Sequence, residues 1–235
     1  MGYDQTLEVY LGENHTLPGT AAPFPSRSPQ PVLIVSGLPR SGTSLMMAML
    51  QAAGFSLLTD NVRQADVSNP KGYYEFEPVK TLKSGDHGWL DQATGKVVKI
   101  VSPLLHYLPS HYQYRVIFMR RKLMEVLASQ SMMLASKPTM LATKNTLHTS
   151  ARKTSAAHED AILEKAFSEH LANVEHWLAS QPNMKTYYAS YNDLLVKPNQ
   201  VLAGLTEFLG SPLPIHQMIS AIDPQLYRSR VNGQD

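Results

Sequence analysis

The chain has 235 residues, 43% of them hydrophobic and 17% charged, with a formal net charge of +2 at pH 7. That is apolar material for one α/β domain with a sizeable core, and the bulk charge alone marks no polyelectrolyte binder. Cysteine is absent, which excludes disulfides, thiolate metal sites and cysteine nucleophiles and fits a reducing, cytoplasmic setting.

Residues 1–30 carry Pro18, Pro23, Pro25 and Pro29 among small polar residues, so an extended arm is expected, with the folded domain over 31–235. The acidic, polar start does not read as a signal peptide, and no apolar run approaches the roughly 20 residues of a membrane span. Val32 to Val35 is a continuous, mostly β-branched run, the mark of a strand buried on both faces. Ser44 to Ala53 reads as a helix, with Leu45, Met46, Met49 and Leu50 at helical spacing and Gly54 as its stop. Asp60 to Glu77 is loop-like. Val97 to Val101 and Arg115 to Met119 read as strands, and Leu123 to Leu134 as a helix.

Lys137 to Ser155 is polar, basic and irregular and is expected to be a mobile loop or lid. Glu159 to Ser180 follows as an amphipathic helix, through Ile162, Leu163, Ala166, Phe167, Leu171, Val174, Trp177 and Leu178. Thr186 to Ala189 is a fourth candidate strand. Val201 to Leu209 is a helix that stops at Gly210, and Pro212 and Pro214 forbid its continuation. Strands alternating with helices predict an α/β fold of three layers, a central, mainly parallel sheet flanked by helices, like that of P-loop nucleotide enzymes.

Charge is unevenly placed. Lys96 to Lys153 holds ten Lys or Arg residues against the single acid Glu125. A basic middle between acidic flanks suits a polyanionic ligand, with nucleic acid as the rival partner. The stretch Val32-Leu-Ile-Val-Ser-Gly-Leu-Pro-Arg-Ser-Gly-Thr-Ser-Leu-Met46 has the outline of a strand–loop–helix phosphate cradle. Gly37-x4-Gly42 has P-loop spacing, but Thr43 stands where a nucleoside triphosphate loop needs lysine, and the cation is Arg40, inside the loop. The backbone N–H groups of Ser41, Gly42, Thr43 and Ser44, at a helix N-terminus, favour an anion. In Val116-Ile-Phe-Met-Arg-Arg-Lys-Leu-Met-Glu-Val-Leu-Ala-Ser129, a strand delivers Arg121 at its carboxyl end and Ser129 lies two helical turns on.

In this order the segments resemble the sulfotransferase family, which uses 3′-phosphoadenosine 5′-phosphosulfate. Pro39-Arg-Ser-Gly-Thr-Ser44 is similar to its 5′-phosphosulfate loop and Arg121-x7-Ser129 to its 3′-phosphate motif. Asn69-Pro-Lys-Gly-Tyr-Tyr-Glu75 resembles the bacterial branch, as does Leu226-Tyr-Arg-Ser-Arg230. Tyr191-Asn-Asp-Leu-Leu195, with Pro198 and Phe208-Leu-Gly210, is similar to the late tyrosine–helix segment. The resemblance implies that Arg40 contacts the sulfate-bearing phosphate, residues 41–44 cradle it, Arg121 and Ser129 hold the 3′-phosphate, and Tyr191 lies near the adenine. Arg228 or Arg230 would add a phosphate contact. It also implies transfer of a sulfuryl group to a hydroxyl or amine of a small molecule, saccharide or peptide, without a metal.

Two departures stand out. Arg40 takes the place of a lysine found in many members, so it can stabilise charge but is a poor proton donor. Lys99, which could steady the sulfuryl oxygens, is followed two residues later by Val101 where eukaryotic cytosolic members carry histidine. A proton acceptor is still required. Glu75 is the first candidate, Glu77 shares its face if the segment is extended, and His106 and His111 are alternatives. The rival functions are a P-loop kinase-like enzyme, which the absent loop lysine opposes, and a non-catalytic nucleotide or nucleic-acid binder.

Overall fold

The computed structural model describes residues 30–60, 62–66, 69, 72–135 and 149–223, with the side chains of 134, 135 and 149–160 left aside. Residues 1–29 of the arm expected over 1–30, most of the expected loop (137–148) and the tail carrying Arg228 and Arg230 lie outside the described residues.

Four strands form one sheet in the order β2-β1-β3-β4, and every pairing is parallel. β1 is Val32–Gly37, β2 Val97–Lys99, β3 Tyr114–Arg120 and β4 Met184–Ser190. The β1–β3 register pairs Val32 with Tyr114 through Gly37 with Met119. β2 is shorter than its apolar run suggests, because Ser102–Tyr107 winds into a 3-10 helix with Pro103 in its first turn. β1 is buried at all six positions, Ser36 included, as a central strand led by the apolar run Val32 to Val35 between two helical layers should be.

Alternate strand residues serve the two layers. Ile34, Val98, Ile100, Val116 and Phe118 pack with Leu90 of α2 (Leu90–Ala93) and Val174 and Leu178 of a long helix over Thr149–Ser180. Leu33, Val35, Val97 and Ile117 pack with Met46, Met49 and Leu50 of α1 (Thr43–Ala52), and with the helices after β4. Burying each such aliphatic side chain contributes about 1.5–3 kcal/mol.

Between β3 and β4 run α3 (Leu123–Ala135) and α4 (Thr149–Ser180). α4 therefore starts ten residues before the expected Glu159. Residues 149–155, read from sequence as loop or lid, belong to the helix instead. The run Ser150-Ala-Arg-Lys-Thr-Ser-Ala-Ala157 has alanine and charged helix formers but no apolar stripe, so its helicity leaves no periodic trace. After β4 come α5 (Tyr191–Val196), α6 (Pro198–Leu209) and α7 (Ile215–Ser220). α6 opens at Pro198, a favoured first helical residue, three positions before the expected Val201.

Candidate functional site

β1 lies between β2 and β3, so the chain leaves β1 for one side of the sheet and returns on the other. The carboxyl ends of β1 and β3 consequently border a crevice, where doubly wound sheets bind ligands. The loop 38–42 leaves β1 here. Gly37 adopts φ 142°, and a Cβ there would come within 2.6 Å of both the Met119 carbonyl oxygen and Ser41 Oγ. The Ser41 amide donates to the Leu38 carbonyl at 3.1 Å. It closes the turn, so the expectation that it joins the anion donors does not hold. The first intrahelical bond of α1 runs from the Met46 amide to Gly42 at 3.1 Å. Gly42, Thr43, Ser44 and Leu45 thus present the amides at the positive end of the helix. Ser41 Oγ is buried and has no hydrogen-bond partner among the described residues.

Arg40 sits in the left-handed region, φ 74°, at a cost of about 1–2 kcal/mol. Its carbonyl accepts a hydrogen bond from Arg121 Nη1 at 3.1 Å. Its own Nε donates to Ser129 Oγ at 2.9 Å, across 89 residues of sequence. Arg121 Nε donates to Glu125 Oε2 at 2.9 Å; their side chains are 7% and 1% exposed. Asn192 Nδ2 donates to both Glu125 oxygens, at 3.1 and 3.2 Å. The Arg121 guanidinium carbon lies 4.4 Å from the centre of the Tyr191 ring. That ring lies so close to the loop that a Cβ on Gly42 (φ 100°) would be 2.4 Å from Tyr191 Cδ2. Arg40, residues 41–44, Arg121, Ser129 and Tyr191 therefore occupy one contiguous patch. Burial pushes the Arg40 guanidinium below its ordinary pKa; the neighbouring cations Arg121 and Arg63 add to this, and Tyr73 and Asp66 oppose it.

A second cluster borders the loop through Ser44. Lys99, 8% exposed at the end of β2, donates to the Tyr73 carbonyl and stands 3.8 Å from Glu75 Oε1. Burial lowers its pKa to about 8; Arg63 and Arg40 lower it further, while Glu75 opposes. Glu75 Oε1 also accepts from Arg63 Nη1 at 2.8 Å. The Arg63 guanidinium lies 3.4 Å above the centre of the Tyr73 ring, and the Tyr73 hydroxyl donates to Asp66 at 2.8 Å. Ser44 Oγ donates to the Tyr73 carbonyl at 3.4 Å and accepts from Asn69 Nδ2 at 3.1 Å. The segment from Asn69 to Glu75 is thereby fastened to both α1 and β2.

The other candidate bases have partners of their own. Glu77 follows Glu75 across the extended Phe76 and opens a 3-10 helix over Glu77–Ser84, with Pro78 in its first turn. Glu77 pairs with Lys80 at 2.6 Å. His106 packs on Trp177, ring centres 4.3 Å apart, and His111 on Tyr112 at 4.6 Å. Arg63 and Asp66 were not singled out from sequence. Both are isolated charges in an irregular loop, and no periodicity or spacing marks them. Among the described residues, no group of three or more His, Asp or Glu side chains is arranged to hold a metal ion.

No protein-family model and no curated protein sequence matches the chain. Among solved structures, it is similar to the sulfotransferase domain from the Synechococcus PCC 7002 olefin synthase: 13% identity over 87% of this chain and 82% of that one, TM-score 0.45. It is also similar to a mouse sulfotransferase complexed with PAP: 14% identity over 82% of this chain, TM-score 0.45. The chain spans 62% of that enzyme's length. A sugar kinase from Janibacter is similar at 11% identity over 83% of this chain and 99% of that one, TM-score 0.35. Likeness at this level leaves the chemistry to be argued from the residues themselves.

Proposed function

We propose that this chain is a sulfotransferase that moves a sulfuryl group from 3′-phosphoadenosine 5′-phosphosulfate to an acceptor hydroxyl, or an amine, by in-line displacement. The observation that carries the reading is the Arg40–Ser129 contact, 2.9 Å, which joins a phosphate loop to a second cationic corner built around Arg121. A ligand with anionic groups at two places suits such a pair of corners better than a single phosphate does.

The residues fit that donor. The Ser41 hydroxyl is buried without a partner among the described residues, and the half-buried Arg40 and the buried side chains of Arg121 and Lys99 bring three cations into neighbouring positions, beside Glu125 and Glu75. Cations so clustered favour an anionic ligand. When bound, the donor supplies a sulfuryl group already attached to a phosphate leaving group. Arg40 and the amides at the start of α1 hold negative charge on the 5′ side. Arg121 and Ser129 hold the 3′-phosphate, Tyr191 lines the nucleoside side, and Lys99 faces the sulfuryl oxygens. Glu75, placed by Arg63 and Lys99, accepts the proton of the acceptor.

Calorimetric titration of the full chain with adenosine 3′,5′-bisphosphate, and separately with ATP and magnesium, tests the reading. Preference for the bisphosphate is expected. Preference for magnesium–ATP would reject the proposal in favour of a kinase-like enzyme.

A further inference from the structure

We infer that Asn192, acting through Glu125, is a positioning residue that makes the Arg121 corner selective for a ligand carrying a second phosphate, an inference that rests on the function proposed above. Glu125 is 1% exposed, and a carboxylate so buried is tolerated only when its oxygens are occupied. Arg121 occupies one of them at 2.9 Å. Asn192 Nδ2 bridges both, at 3.1 and 3.2 Å. The other end of the same amide, Oδ1, accepts the Lys122 backbone N–H at 3.3 Å. One side chain from the first turn of α5 thus holds both the start of α3 and the acid inside it.

The consequence falls on Arg121. A guanidinium is planar, and the contacts that hold its orientation include three of different kinds: Glu125 at Nε, the Arg40 carbonyl at Nη1 and the Tyr191 ring against its face. Two of the three come from the dipeptide Tyr191-Asn192 or depend on it. The nucleoside side and the second-phosphate side of the site are therefore set by neighbouring residues on one helix turn. Removing Asn192 leaves Arg121 charged and near its place, but loosens the aim of its remaining N–H bonds.

A merely structural role predicts lower stability and weaker binding of every nucleotide alike. Positioning predicts a loss confined to ligands with the 3′-phosphate. The experiment measures dissociation constants of adenosine 3′,5′-bisphosphate and adenosine 5′-monophosphate for wild type, Asn192→Ala and Glu125→Gln. Both variants are expected to bind the bisphosphate about tenfold more weakly, the scale for losing a group that orients a ligand-binding side chain, and the monophosphate within twofold of wild type. In an Arg121→Ala background, Asn192→Ala is expected to change bisphosphate affinity by less than twofold, since the effect runs through the arginine. Should Glu125→Gln fail to fold, Asn192→Ala carries the test, because it removes only a half-buried amide. Equal weakening of both nucleotides, or unchanged bisphosphate affinity, overturns the inference while leaving the proposed function standing. A wild-type protein that does not distinguish bisphosphate from monophosphate overturns the proposed 3′-phosphate corner and the inference with it.

Discussion

Replacing Lys99 by methionine separates what the lysine does for the fold from what it does for the ligand. Lys99 is 8% exposed, and the pKa of its ammonium falls from 10.5 to about 8, chiefly through burial. At about 1.4 kcal/mol per pH unit, that shift is worth about 3 kcal/mol against the charged form in the folded protein. Between pH 8 and 10.5 the unfolded lysine keeps its proton while the folded one has released it. The unfolded state binds more protons there, so wild-type stability rises with pH across that window and carries the full cost of the charge below it. Lys99→Met has no such term, and the other titrations are common to both chains. Urea unfolding at pH 7 and pH 10.5 should therefore show the variant's advantage over wild type shrinking by about 3 kcal/mol as pH rises, or roughly 6–10 °C in relative Tm. The lost bond to the Tyr73 carbonyl changes the offset between the chains but not this slope. The same charge is what the sulfuryl oxygens would meet, so wild-type turnover should decline above about pH 8. A stability difference independent of pH would refute the assignment of Lys99 as a buried cation.

Arg121→Ala should weaken adenosine 3′,5′-bisphosphate binding by about 1.5–3 kcal/mol, the scale of a charged hydrogen bond, in the same titration; unchanged affinity would move the 3′-phosphate elsewhere. Glu75→Gln should lower turnover of an accepted hydroxyl substrate by about 10²–10⁴-fold with bisphosphate affinity intact; near-normal rates would transfer the base role to another group. Gly42→Ala places a methyl 2.4 Å from the Tyr191 ring on a backbone of φ 100°, and should cost about 1–3 kcal/mol in urea unfolding. A variant as stable as wild type would show that the ring does not lie on the loop.

β1, β2 and β3 were legible because β-branched residues cluster in them, with Gly37 closing β1 and Arg120 closing β3; β4, whose one β-branched residue is Thr186, was legible only over Thr186 to Ala189. α1 was legible because Leu45, Met46, Met49 and Leu50 mark a face, and Gly54 closes it. The start of α4 was not, since alanine, serine and lysine form helix without marking a face. α7 is six residues long and follows Pro212 and Pro214, too short for a period to register. At the site, Arg40, Arg121 and Ser129 stand in recognisable local settings, a strand end or the helix after it. That Arg40 reaches Ser129 is a tertiary fact across 89 residues, invisible to spacing. Arg63 and Asp66 come into the site because the Tyr73 ring lies between them and Glu75 accepts from Arg63, contacts that no spacing marks.

The Tyr191 ring resting on Gly42 has a bearing on how the protein is made. A ribosome that has released the first third of this chain has delivered the whole loop 38–42, yet not the aromatic cover that holds it, which arrives about 150 residues later. At synthesis rates of roughly 5–20 residues per second, the loop waits on the order of ten seconds for its cover. A nascent chain halted before residue 190 would carry that loop in full and still lack the ring that rests on it.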